Sequence, residues 1–152
     1  TRSGDWQKRN RALIMNTTPE SSGKKRSNMS IRVSIVEDNN RVRGSLARLI
    51  ALTDGFECVS EHGSGEDAMA GLPKARPEVV LMDINLPGMN GYQALALLKA
   101  DAETMHIPVV ALSANAMKGD RERGIQAGFV DYLTKPLDIL LLMRLLDELL
   151  KE

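Results

Sequence analysis

Three carboxylates stand where apolar runs end: Glu37 and Asp38 directly after Ile31 to Val36, and Asp83 directly after Val79, Val80, Leu81 and Met82. Packed together, such groups repel, and each raises the cost of ionising the others. A hard divalent cation offsets that cost. Mg²⁺ suits the set because it takes a few protein oxygens and keeps water or phosphate in its remaining octahedral positions. Ser113 ends another apolar run, Pro108 to Ser113, and Lys135 follows the last, Val130 to Leu133. A hydroxyl and a fixed ammonium at that place would neutralise the equatorial oxygens of a phosphoryl group bound on the open side of the metal.

Each residue also has a plain reading. A lone aspartate after a strand is ordinarily a helix N-cap or a turn residue. A lone Lys135 would be a surface lysine, and a lone Ser113 would be a strand-end hydroxyl bonded to backbone. What favours the chemical reading is that all of them fall where strands end, the place at which an open parallel sheet collects its functional groups.

The elements that must bring them there follow from periodicity. Ile31 to Val36, Phe56 to Ser60, Glu78 to Met82, Pro108 to Ser113 and Val130 to Leu133 read as strands, with β-branched residues in support. Arg41 to Leu52 reads as an amphipathic helix, with Val42, Leu46, Leu49 and Ile50 on one side and Arg41, Arg43 and Arg48 on the other. Ser64 followed by Glu66 and Asp67 starts a second helix that runs to about Leu72, with Pro73 and Pro77 marking its exit. Two further helices occupy Tyr92 to Ala102 and Lys118 to Ala127, and a last one Leu137 to Lys151. Five βα units in a row predict an α/β fold: a doubly wound, flavodoxin-like parallel sheet of order 2-1-3-4-5 with helices on both faces. In that order strands one and three are neighbours, so the three carboxylates converge.

The 152 residues suffice for one domain with a tail. Residues 1–30 carry seven basic side chains against Asp5 and Glu20, a local charge of +5 that the remaining residues balance with −5. This segment shows no sustained periodicity and reads as a flexible basic leader or linker, native or vector-derived, with Met29 as a natural start; residues 31–152 form the domain. The balanced total gives no reason to expect nucleic acid or an acidic membrane surface, and within the leader only Trp6 offers a stacking platform. No apolar run is long enough for a membrane span or a signal-peptide core, so a cytoplasmic setting is the default. The single cysteine, Cys58, permits neither an intrachain disulfide nor a cysteine metal site and reads as a small buried hydrophobe.

The segments VEDNN at 36–40, LMDINLPGMNG at 81–91, ALSANA at 111–116 and DYLTKP at 131–136 together resemble the receiver domains of two-component response regulators. The resemblance covers residues 31–152. It implies that Glu37 and Asp38 hold Mg²⁺, that Asp83 is the phospho-accepting nucleophile, that Asn85 offers a backbone carbonyl to the metal, and that Ser113 and Lys135 bind the phosphoryl group. It further implies that Ser113 moves toward the phosphate while Tyr132 turns inward into the vacated space, and that Lys135–Pro136 is cis. Serine at 113 replaces the commoner threonine, keeping the hydroxyl and losing a methyl. The implied donor is a sensor histidine kinase or a histidine-phosphotransfer protein, and the chain catalyses only its own phosphorylation and dephosphorylation.

A Mg²⁺-dependent phosphohydrolase is the competing enzyme reading, but it wants a second acid two residues after the nucleophile, where this chain has Asn85. A flavodoxin-like cofactor module explains neither the acidic pair nor Lys135. His62 and His106 fall in predicted loops and are assigned to neither metal nor catalysis. The last helix is expected to leave no residues for an output domain after it. Ile139, Leu142, Met143, Leu146 and Leu150 form its apolar stripe, while Leu141 and Leu145 project elsewhere, which suggests a homodimer or partner contact there.

Overall fold

The computed structural model describes residues 30–114 and 117–150; the basic leader, apart from Ser30, and Asn115 and Ala116 of the ALSANA segment lie outside the described residues. Strands β1 (Ile31–Val36), β2 (Phe56–His62), β3 (Val79–Asp83), β4 (Val109–Ser113) and β5 (Asp131–Thr134) alternate with helices α1 (Asn40–Leu52), α2 (Gly65–Ala75), α3 (Gly91–Ala100), α4 (Asp120–Ala127) and α5 (Ile139–Leu149). The strands are all parallel, in the order β2-β1-β3-β4-β5. This is the flavodoxin-like order expected from the sequence.

The period of two along a strand sends neighbouring side chains to opposite faces, and both faces are covered. Val33, Ile35, Val79, Leu81, Val110 and Leu112 pack under α1 and α5 with Leu46, Ile50, Leu142 and Leu146. Val80, Met82, Val109 and Ala111 pack on the other face with Leu72, Leu95, Leu98 and Phe129. The central strands β3 and β4 are buried at every position, which fixes their register: a slip of one residue would exchange the two faces.

Side-chain caps start four of the helices. Asn39 Oδ1 accepts from Val42 N–H, Ser64 Oγ from Asp67 N–H, and Asp138 from Leu140 and Leu141 N–H, while Asn90 and Gln93 form a reciprocal capping box. Helix α4 instead begins at Gly119, at φ 89°, without a side-chain cap.

Several expectations need correction. Pro73 lies inside α2, which continues to Ala75 and ends at Arg76 in the left-handed region, φ 51°. Proline removes one hydrogen bond of the helix, but Leu72 is fully buried and Arg32 compensates at the end, donating to Ala75 O at 2.5 Å and Arg76 O at 3.3 Å. β2 continues through His62, which pairs with Val36, so His62 is a buried strand residue rather than a loop residue. Cys58 on the edge strand is only half-buried.

On α1 the buried residues are Leu46, Ala47 and Ile50, and Val42 and Leu49 are exposed to 37% and 38%. On α5, Leu145 is partly buried against the core, so the pair Leu141 and Leu145 is not an outward stripe. The exposed leucines are Leu140 and Leu141, which stand at the helix start before the apolar stripe closes on the sheet.

Candidate phosphorylation site

The acidic residues meet at the C-terminal edge of the sheet because β1 pairs with β3 in parallel, Val36 beside Met82. Glu37, Asp38 and Asp83 each bring a carboxylate oxygen within 4.8 Å of the others. Glu37 and Asp83 are buried, at 1% and 4% exposure, whereas Asp38 is exposed.

Lys135 reaches this cluster from the turn after β5. Its Nζ donates to Glu37 Oε1 at 2.6 Å and to Asp83 Oδ2 at 3.1 Å. The Lys135–Pro136 peptide is cis, as expected. Burial draws the lysine toward the neutral form, but the hydrogen bonds and charges of Glu37 and Asp83 together outweigh it and leave its pKa raised. Burial likewise lifts the Glu37 carboxyl above its ordinary value, and Asp83 adds to the rise; bonds from Lys135 and from Asn39 N–H oppose it without cancelling it. Lys135 therefore bonds the two buried acids of the three, and the exposed Asp38 is left outside that pairing. An all-oxygen donor set with that surplus of negative charge fits a hard divalent cation.

The remaining residues surround Asp83. Asn85 N–H donates to Asp83 Oδ1 at 2.9 Å, so backbone holds one carboxylate oxygen and Lys135 the other. Ser113, buried at 1%, ends the neighbouring strand, where Leu112 pairs with Asp83 and Lys135 N–H donates to Ser113 O at 2.8 Å. Tyr132 already points inward: it is 8% exposed, and a Cβ on Gly124 of α4 would lie 2.9 Å from its ring. Ser113, Tyr132, Asn85, Tyr92 and Arg123 line a cleft of about 510 Å³ beside the site.

Gly91 opens α3 at the end of the LMDINLPGMNG segment. A Cβ there would stand 2.6 Å from Ile84 Cα and 2.8 Å from Asp83 O, so only glycine lets the start of α3 lie against the end of β3. Arg43 is missed by sequence reading. Counted with the outward arginines, it is half-buried and donates to Glu37 O at 2.8 Å. The signal is present in the sequence, since positions 43, 46, 47 and 50 share one helical face.

The buried His62 is accounted for structurally: its ring bonds Ser60 Oγ at 2.8 Å and Asp67 Oδ2 at 3.0 Å and lies where a Cβ on Gly71 would come within 2.4 Å. His106 lines a surface cleft with Glu103 and Arg76, remote in the fold from the acidic edge, which the opposite ends of the strands form.

Residues 33–147 match the family model of the response regulator receiver domain. The chain belongs to that family. Its function is phospho-accepting signalling. The polar-differentiation response regulator DivK of Brucella ovis is 40% identical over 111 residues, 73% of this chain and 89% of that protein. The response regulator PleD of Caulobacter vibrioides is 37% identical over 115 residues; the match takes in 75% of this chain but only a quarter of the length of PleD. Among solved structures, the receiver domain of the sensor histidine kinase PA1611 from Pseudomonas aeruginosa has a TM-score of 0.67 and 33% identity, over 78% of this chain and 96% of that one. It carries a magnesium ion in its active-site cleft.

Proposed function

We propose that Asp83 accepts a phosphoryl group from the phosphohistidine of a sensor histidine kinase or phosphotransfer protein, with Glu37, Asp38, Asp83 and the Asn85 carbonyl holding Mg²⁺. The observation that carries the reading is the Lys135 ammonium shared between two buried carboxylates, beside an exposed third. An Asp83 oxygen attacks phosphorus, the P–N bond breaks, and the imidazole leaves with the electron pair. The product is an acyl phosphate. Lys135 and Ser113 would contact its oxygens, and hydrolysis returns the carboxylate and releases inorganic phosphate. A bound Mg²⁺ supplies positive charge for the oxygens of the transferring group.

Conformation can follow phosphorylation only if the two conformers bind the phosphoryl group unequally. Ser113 and Tyr132 are the proposed source of that inequality, with the cleft between them and α4 as the space in which they move. An apolar groove of about 550 Å³ opens on the other side of Lys135, lined by Val42, Leu49, Pro136 and Leu137, and offers a phosphodonor protein a surface close to Asp83. The same reading makes the chain a switch that catalyses only its own modification, and it places the chain in the cytoplasm. No helix among the described residues is long and apolar enough to cross a membrane.

Incubation with acetyl phosphate and Mg²⁺, followed by intact mass measurement, is expected to add one phosphoryl group to the wild type and none to Asp83→Asn. Equal labelling of the two, or labelling that survives chelation of the metal, contradicts the assignment.

A further inference from the structure

We infer that Arg43 is a positioning residue for the divalent cation, setting the direction of the Asp38 carboxylate; the inference rests on the Mg²⁺ reading above. Its guanidinium joins two turns at the acidic edge. Nη1 donates to the main-chain oxygen of Glu37 at 2.8 Å and Nη2 to Asn40 Oδ1 at 2.7 Å, while Nε stands 3.8 Å from Glu61 Oε1 at the end of β2. Gly63, in the turn after β2, leaves room for it: a Cβ there would come within 3.2 Å of Nη1. The Arg43 side chain is 21% exposed, whereas Arg41 and Arg48 on the same helix are exposed.

Glu37 O belongs to the peptide that joins Glu37 to Asp38. The rest of that turn is pinned as well, by Glu37 N–H to His62 O at 2.9 Å and Asn39 N–H to Glu37 Oε2 at 3.1 Å. Asp38 itself is exposed, so packing does not orient it; the plane of the peptide before it does. Arg43 fixes that plane from the solvent side. A planar fork can hold Glu37 O and Asn40 Oδ1 at once, whereas a lysine ammonium at the end of a flexible stem is not pre-organised to do so.

The sign of the effect separates this role from a bare charge. A cation at the acidic edge repels Mg²⁺, so if Arg43 acted only by its charge, removing it would tighten metal binding. If it holds the turn, removing it weakens binding. Outer-shell partners of metal ligands commonly carry roughly tenfold in affinity or more. Calorimetric titration of the full chain with Mg²⁺ tests this on wild type, Arg43→Ala, Arg43→Lys and Gly63→Ala, with urea unfolding in EDTA as a check on folding.

Expected are a roughly tenfold weaker dissociation constant in Arg43→Ala, a smaller loss in Arg43→Lys, and a loss in Gly63→Ala, which keeps the charge but crowds the guanidinium. Unchanged or tighter Mg²⁺ binding in a folded Arg43→Ala overturns the inference. If that variant does not fold, unchanged binding in Gly63→Ala does so. A wild type that takes up no Mg²⁺ refutes the metal reading itself, a result distinct from equal binding across the variants.

Discussion

On one side of Asp83 the turn after β1 is fastened to the sheet, and on the other α4 is; the fastenings differ in kind. The β1 turn grows out of a strand buried at nearly every position and is held by short bonds from Lys135 and Arg43 and by its own Glu37 N–H donating to His62 O. Helix α4 has eight residues, begins without a side-chain cap, and buries Gly124 rather than any large side chain. Beyond the approach of Gly124 to Tyr132 and Phe129, it is tied to the sheet by an ion pair near water. Arg121 meets Asp131 at 3.0 Å with its side chain 61% exposed, and Arg123 pairs with Asp120 within the helix itself. Exposed ion pairs contribute little. The contrast teaches where the molecule can move: the edge that holds the acidic cluster is over-determined, and the α4 edge is held by few apolar contacts, the mark of a region with low local stability.

Substitution at the two glycines that let helices approach the sheet should separate the edges most clearly. Gly91→Ala drives a methyl into the backbone of Asp83 and Ile84, which no side-chain rotation relieves. Urea unfolding should show a loss of about 3 kcal/mol, together with weaker Mg²⁺ binding. A loss no greater than that of an ordinary surface change would mean that α3 does not dock as tightly as described.

At the α4 edge, Gly124→Ala meets the ring of Tyr132. The cost of displacing the ring is partly offset by the better helix propensity of alanine, giving a net loss of about 1 kcal/mol. Mg²⁺ affinity should be unchanged, since a methyl on Gly124 meets Tyr132 and Phe129 and none of the acidic residues; a shifted affinity would couple the α4 edge to the acidic edge. The smallest effect belongs to Arg121→Ala. Removing an exposed pair to Asp131 should cost under about 1 kcal/mol and vanish in about 1 M salt. A larger, salt-independent loss in thermal unfolding would show α4 to be anchored more firmly than its contacts suggest.

Much of this was legible in the chain. The order of five strands and five helices, and the strand-end places of Glu37, Asp38, Asp83, Ser113 and Lys135, follow from apolar periodicity and from polar residues standing at the ends of apolar runs. The errors have a common cause, since they concern neighbours that periodicity does not see. Pro73 was expected to end α2, yet Arg32 on a strand supplies the missing end contacts. Leu145 was expected outside and lies partly against the core. Arg43 was grouped with outward charges, and its partner proved to be a backbone oxygen of the acidic turn.

By itself, then, the sequence determined which residues lie at strand ends and which faces are apolar, because a side chain's type and its spacing act locally, within one element. Only the tertiary structure decided that Lys135 bonds both Glu37 and Asp83, that Tyr132 lies inward against Gly124, and that Gly91 admits α3 to the backbone of Asp83. Those are distances between elements far apart in the chain. They depend on how the sheet and helices close on one another, which no local pattern encodes.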